Sequence, residues 1–328
     1  MGRRVDGGDP RRTPHRPVRA HPGRHPRGGR EAHGDRRRDL RPRAVHRTRA
    51  TVTAGPDPAL VEAYRRDGVV VVRGVLEVEL LDELAAAVEA NRLDPGPDAC
   101  VYDPDATFWD DYCNWERFDA YRRLALESPL PALVGQLMGS TTVRFFHEHV
   151  LVKEAGSAAR TPWHHDQPYY CVDGDQLCSV WAPLDPVGPE AALEFVAGSH
   201  TGPLRLPRRF VDHADYDSYG DAFPPVPDID ADRDRHRILS WATEPGDVLV
   251  FHMRTLHSTP PAATTARRRR AVATRWLGDD AVFARRPGPT SPPMTWLTLE
   301  PGAPLVHPRL PAAWRAPGAD DAGVTSVA

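Results

Sequence analysis

Lysine is almost missing from this 328-residue chain: 41 of its 42 basic residues are arginine, and Lys153 is the one exception. Long apolar runs are missing too. None approaches the ~18 residues a membrane-spanning helix needs, so no membrane partner is expected. The basic N-terminus is not followed by an apolar stretch, which excludes the pattern of a secretory signal. Cysteine is scarce: Cys100, Cys113, Cys171 and Cys178 form no C-x-x-C pair and are too few for a disulfide scaffold. Free thiols in a reducing, cytoplasmic setting are the expectation. There is no internal repeat and no glycine-rich phosphate loop.

Charge of one sign is lacking only on average. The formal net charge is −3, yet the first fifty residues hold 16 Arg against five acids, and the rest is correspondingly acidic. Residues 1–50 contain no aromatic residue and no serine. Such a segment cannot offset the entropy of ordering, so it reads as a disordered basic Arg/Pro/Gly-rich tail. A nucleic-acid arm is the functional alternative, but the aromatics that would stack on bases are absent. A translational start further downstream would make the stretch incidental. Nucleic acid is therefore not an expected partner.

Residues 51–328 read as one domain. Helices are expected at 58–66, 77–92, 114–127 and 129–138, the second from its clear amphipathic spacing. A β-branched run at 68–76 is a strand, and after Gly139 the texture turns to strands at 142–154, 177–184, 192–196, 247–252 and 271–277. Helices first and strands later predict a helical layer on an all-β core. Residues 201–236 form a long connection, either a lid or a surface insertion. Residues 285–328 are a Pro-rich C-terminal segment.

Chemistry concentrates at Thr161-Pro-Trp-His-His-Asp-Gln-Pro-Tyr-Tyr170. In extended backbone, side chains two apart share a face, so His164 and Asp166 point to one spot and His165 away. One imidazole and one carboxylate make two thirds of a facial 2-His-1-carboxylate iron site. Far downstream, Pro245-Gly-Asp-Val-Leu-Val-Phe-His leads through a strand to His257. Then Arg267-Arg-Arg-Arg270 opens another strand. A guanidinium inside a barrel needs a partner, and a carboxylated cosubstrate would match its fork.

With these pieces in place, the sequence resembles the phytanoyl-CoA dioxygenase family of Fe(II)/2-oxoglutarate oxygenases. The matching motifs are Trp163-His-His-Asp166, Trp181-Ala-Pro-Leu-Asp185, Leu193-Glu-Phe-Val-Ala-Gly-Ser-His200, Pro245-Gly-Asp247, His257-Ser258 and Arg269-Arg-Ala271. The resemblance implies a double-stranded β-helix, the jelly roll of cupins, with the metal at one mouth. It assigns His164, Asp166 and His257 to Fe(II), an arginine of the 267–270 run to 2-oxoglutarate, and Trp181 to the border of that cosubstrate. O2 is the second cosubstrate. Family spacing selects Arg268, whereas the local Arg-x-Ala pattern selects Arg269. Arg269 is preferred because it shares a face with Ala271 and Ala273, small residues suited to lie beside a bound molecule. The asparagine that relatives often carry after the distal histidine is missing from Pro260-Pro-Ala-Ala.

Other candidates follow from these. Lys153 precedes the metal segment on its strand, and the family often uses a basic residue there for cosubstrate or substrate; a solvated strand end is the alternative. Trp163, Tyr169 and Tyr170 could wall the substrate site or pack the core. His147 and His149 alternate on one strand and could face the cavity. His200 and His252 read as structural. The expected function is oxidation, by hydroxylation first of all, of an unactivated C–H bond in a small metabolite, with succinate and CO2 released. Desaturation, cyclisation and epoxidation share the same chemistry, whereas halogenating relatives lack the carboxylate that Asp166 supplies. The competing expectation is a non-oxidative jelly roll in which the same His/Asp/His set holds Zn²⁺ for hydrolysis or mere binding.

Overall fold

The computed structural model describes residues 56–102, 107–157, 160–259 and 267–318. The expected disordered tail at 1–50 lies outside them. Four helices are formed: α1 (Pro58–Asp67), α2 (Val78–Leu93), α3 (Asp119–Leu126) and α4 (Leu130–Met138). The strands are β1 (Val69–Val72), β2 (Cys100–Val101), β3 (Phe108–Tyr112), β4 (Thr142–Lys153), β5 (Val172–Asp173), β6 (Leu177–Pro183) and β7 (Glu194–Val196). They continue with β8 (Ile238–Ser240), β9 (Val248–His252), β10 (His257–Ser258), β11 (Arg269–Leu277), β12 (Val282–Phe283) and β13 (Ala312–Arg315).

The fold is mainly β, a jelly-roll core with an N-terminal helical layer. Its larger, antiparallel sheet has eight strands in the order β1-β9-β6-β11-β4-β3-β2, with β13 also on β4. Opposite it lies the sheet β10-β7-β8, and β5 pairs with β12. Alternation along β11 explains the layering. Val272 and Trp276 point outward into the core shared with the helices, where Leu84, Tyr121, Leu124 and Leu130 are also buried. Ala271 and Ala273 point inward, among Trp181, Phe195 and Phe251. One sheet thus serves two cores, and the space between the sheets is left for the site.

The third expected helix is shorter than its periodicity suggested. Residues 114–117 form a turn, because buried Glu148 accepts the backbone N–H groups of Asn114 and Trp115 before α3 begins. Burial pushes the Glu148 carboxyl up to about 8, against those hydrogen bonds. All four cysteines are free thiols.

Where α1 turns into β1, Gly68 takes a left-handed φ of 76°, and a Cβ there would meet the His200 ring at 2.3 Å. Beside it, Asp67 is buried and ion-paired to Arg66 and Arg237 at 2.8 Å each. The Arg66 hydrogen bonds, then Arg237, hold its carboxyl at about 2. A depressed carboxyl stabilises the fold above its unfolded pKa near 4, and that contribution is lost as pH falls through about 2. Both guanidiniums are more than half exposed, so the effect is discounted to about 1 kcal/mol. Urea unfolding of Asp67→Asn should show a deficit of that size at pH 7, shrinking between pH 4 and 2. A deficit constant across that range would remove the Asp67 charge from the account.

Candidate active site

His164 and His257 are held together by backbone. Each donates its N–H to the other's carbonyl, at 3.1 and 2.8 Å, in an isolated antiparallel bridge. Asp166 follows at the start of a short turn, its own N–H bound to Met253 O at 2.8 Å. All three side chains are buried, and one ligand atom from each lies within 4.8 Å of the others. Asp166 Oδ1 stands 3.9 Å from His164 Nε2 and 3.8 Å from His257 Nε2.

The neighbours fix which atoms are offered. His164 Nδ1 donates to Pro162 O at 2.8 Å and His257 Nδ1 to Thr255 O at 2.9 Å, leaving both Nε2 lone pairs free for a cation. Burial lowers both imidazole pKa values, so the rings are neutral, as ligands must be. Asp166 Oδ2 accepts from Ser179 Oγ at 2.6 Å and is ion-paired with Arg275, whose Nε lies 3.0 Å away, which aims Oδ1 at the imidazoles. Burial alone would raise the Asp166 carboxyl; Arg275 overrides it and holds the group well below the usual carboxylate range. Three neutral or anionic donors with open space before them suit a divalent cation.

The triad opens into a cavity of ≈ 1070 Å³, counting its mouth. Arg269 lines it, 8 % exposed, with Nη1 donating to Ala191 O at 2.8 Å and its guanidinium carbon 5.9 Å from the Trp181 ring centre. No described carboxylate lies within ion-pairing distance of it. Burial draws its pKa down to about 10, which leaves it charged at neutral pH. Lys153 pairs with Arg269 in register across β4 and β11 and lines the same cavity. At 3 % exposure it is not a solvated strand end, and its ammonium lies 4.6 Å from the Phe108 ring centre. Burial, then the charge of Arg269, lower the Lys153 pKa. Arg269, a buried guanidinium next to a metal-type triad with no described carboxylate in reach, is suited to receive an anion.

Arg268 corrects one expectation. It faces out, towards α2, bonded to Glu89 at 2.7 Å and 3.4 Å from Glu154, and so is not placed to anchor a cosubstrate. Trp163 corrects another. Its ring is buried away from the cavity among Val196, Val226, Ile229 and Leu256, with Nε1 donating to Asp230 at 3.0 Å. Tyr169, Tyr170, His147 and His149 do line the cavity. Tyr170 accepts from Arg275 Nε at 2.9 Å, so it belongs to the scaffold behind Asp166. His165 turns away, bound to Arg254 O and to the N–H of Arg205, and His252 binds Asp175 O.

Several lining residues escaped sequence reasoning. Arg208, Phe210 and Tyr216 reach in from the 201–236 connection, and the Phe210 ring lies 4.8 Å from that of His164. Ser179 could have been found by parity, since it sits two residues before Trp181 on the same face of β6.

A jelly roll that carries a buried His-Asp-His triad beside a buried arginine is built like a mononuclear metal enzyme. The profile of the Phytanoyl-CoA dioxygenase (PhyH) family matches residues 64–271, and the chain belongs to that family. It is 27% identical over 237 residues to the 1-deoxypentalenic acid 11-beta-hydroxylase of Streptomyces exfoliatus, covering 66% of this chain and 80% of that protein. The structure of the epimerase SnoN of nogalamycin biosynthesis, in complex with Fe3+, alpha ketoglutarate and nogalamycin RO, superposes with a TM-score of 0.60 at 27% identity. That match covers 79% of this chain and all of SnoN. The non-heme carbocyclase SnoK of the same biosynthesis matches in fold, with a TM-score of 0.62 at 23% identity, over 78% of this chain and 95% of SnoK. Among the described residues no helix is long and apolar enough to cross a membrane.

Proposed function

We propose that this protein is an Fe(II)- and 2-oxoglutarate-dependent oxygenase that hydroxylates an unactivated C–H bond of a small natural-product intermediate. The observation that carries the reading is the co-location, in one cavity, of the triad and of Arg269 beside Lys153. His164 Nε2, Asp166 Oδ1 and His257 Nε2 would hold the metal. The Arg269 fork would hold a carboxylate of the cosubstrate, with Lys153 beside it and Trp181 as a flat wall. Iron(II) with 2-oxoglutarate and O2 supplies the oxidising power, the cosubstrate leaving as succinate and CO2. The chain's own work is to orient and to exclude water: Phe210 and Tyr216, from the connection at 201–236, close over the substrate as a lid. The names of SnoN, SnoK and the Streptomyces hydroxylase support a natural-product substrate. Zinc hydrolysis has no use for a second buried cationic site beside the metal.

Anaerobic titration of the protein with Fe(II) and 2-oxoglutarate should produce the visible charge-transfer band of the chelated complex. Admission of O2 with substrate should then yield succinate and a product heavier by one oxygen. A protein that binds Zn²⁺ tightly and never develops the band would overturn the reading.

A further inference from the structure

A second polar cluster lines the same cavity and takes no part in the chemistry above. Asp110 on β3 is fully buried, and its Oδ2 accepts both Tyr102 Oη–H and His149 Nε2–H, each at 2.7 Å. Its Oδ1 has no hydrogen-bond partner among the described residues. The Tyr112 ring packs edge-on against His149 at 5.2 Å and is itself tied by its hydroxyl to Ser291 Oγ at 2.8 Å. A buried carboxylate with one oxygen unsatisfied is costly, and such groups concentrate where function demands them. A merely structural link between Tyr102 and His149 would not need a carboxylate.

What the carboxylate does is fix a tautomer. It can only accept, so Nε2 carries a proton, and in the neutral imidazole Nδ1 is then the acceptor. Nδ1 has no hydrogen-bond partner among the described residues, and His149 lines the cavity. Around it the wall is aromatic: Tyr102, Phe108, Tyr169, Phe210 and Tyr216. We infer that His149 is a specificity-determining residue whose Nδ1 accepts a hydrogen bond from a hydroxyl on a flat, largely apolar ring substrate. Asp110 is its positioning residue. The inference rests on the oxygenase reading and names the kind of molecule that site would take. A substrate carboxylate in that place would face a lone pair backed by the Asp110 charge, and an unsubstituted hydrocarbon would leave Nδ1 desolvated and unpaired.

The test uses the full chain loaded anaerobically with Fe(II) and 2-oxoglutarate, and three probes of one shape: 1-naphthol, naphthalene and 1-naphthoate. Binding is followed by probe fluorescence. 1-Naphthol should bind about tenfold more tightly than either of the others, the worth of one hydrogen bond plus an unpaired acceptor. His149→Phe, which keeps a ring and removes the acceptor, should abolish the preference over naphthalene. Asp110→Asn, which can turn an N–H towards Nε2, should make Nδ1 a donor and so remove the discrimination against 1-naphthoate. Both variants should retain the Fe(II)/2-oxoglutarate band, which reports an intact fold and metal site. A preference for naphthoate, a preference over naphthalene that survives in His149→Phe, discrimination against 1-naphthoate unchanged in Asp110→Asn, or no binding of any probe while the band is present would each overturn the inference. Absence of the band in the unmodified protein would instead count against the oxygenase reading.

Discussion

Asp166→Ala should reduce substrate-dependent turnover below detection and remove the Fe(II)/2-oxoglutarate band, and it should also destabilise the fold. The first effect follows from the loss of one of three donors that meet within 4.8 Å. The second follows from what stands behind the carboxylate. Arg275 is buried, its Nε 3.0 Å from Asp166 Oδ2, and its other partners among the described residues are neutral: the Tyr170 hydroxyl and the Thr274 carbonyl. Removing one member of a buried pair leaves the other charge uncompensated, at a cost of about 3–5 kcal/mol. Inactivity of the single variant alone could therefore reflect unfolding. The double variant Asp166→Ala/Arg275→Met separates the two: it removes the stranded charge and should recover most of the lost stability in urea while remaining inactive. Arg275→Met alone keeps the ligand but loosens its orientation, and should weaken Fe(II) binding about 10- to 100-fold. Full turnover in Asp166→Ala, or recovery of turnover in the double variant, would sink the assignment of Asp166.

Strand parity made much of the site legible, and its misapplication accounts for one error. Alternation along 163–166 separates His164 and Asp166 from His165, and the structure keeps them apart although this stretch is a bridge and a turn rather than a regular strand. The same alternation puts Trp163 on the side of His165, so its place in a core with Ile229 was readable and was not read. The choice between Arg268 and Arg269 turned on the small residues at 271 and 273; what confirms the outward path of Arg268 is Glu89 on α2, a contact between segments 179 residues apart that no local pattern announces. The strand β3 carries no strand signal of its own. Its Phe-Trp-Asp-Asp-Tyr carries two adjacent acids, which strands disfavour. Both acids are buried and bonded by other segments: Asp111 by Asn91 and the Gly96 N–H, and Asp110, through Oδ2 alone, by Tyr102 and His149. Tertiary contacts overrode propensity, and the same override put Asp110, the partner of His149, beyond the reach of sequence reasoning.

Arg269→Gln should raise the KM for 2-oxoglutarate by at least 100-fold, while Arg268→Gln should change it by less than about twofold. The first figure rests on two charge-assisted hydrogen bonds of a guanidinium fork, each contributing about 1.5–3 kcal/mol. The second rests on the exposure of the Arg268 pairs with Glu89 and Glu154, where ion pairs contribute about 0–1 kcal/mol to stability and nothing to the cavity. Arg269→Lys keeps the charge but not the fork, and should fall between them, at about 10-fold. Stability should move the opposite way to affinity. Arg269 is a buried charge with no described carboxylate near it and Lys153 across the register, so its removal relieves repulsion in the empty protein. Arg269→Gln should therefore melt no lower than the unmodified protein when neither is given 2-oxoglutarate, and should lose the rise in Tm that 2-oxoglutarate with Fe(II) confers on the latter. Equal effects of the two substitutions on KM, or a larger effect from Arg268, would shift the cosubstrate anchor off Arg269.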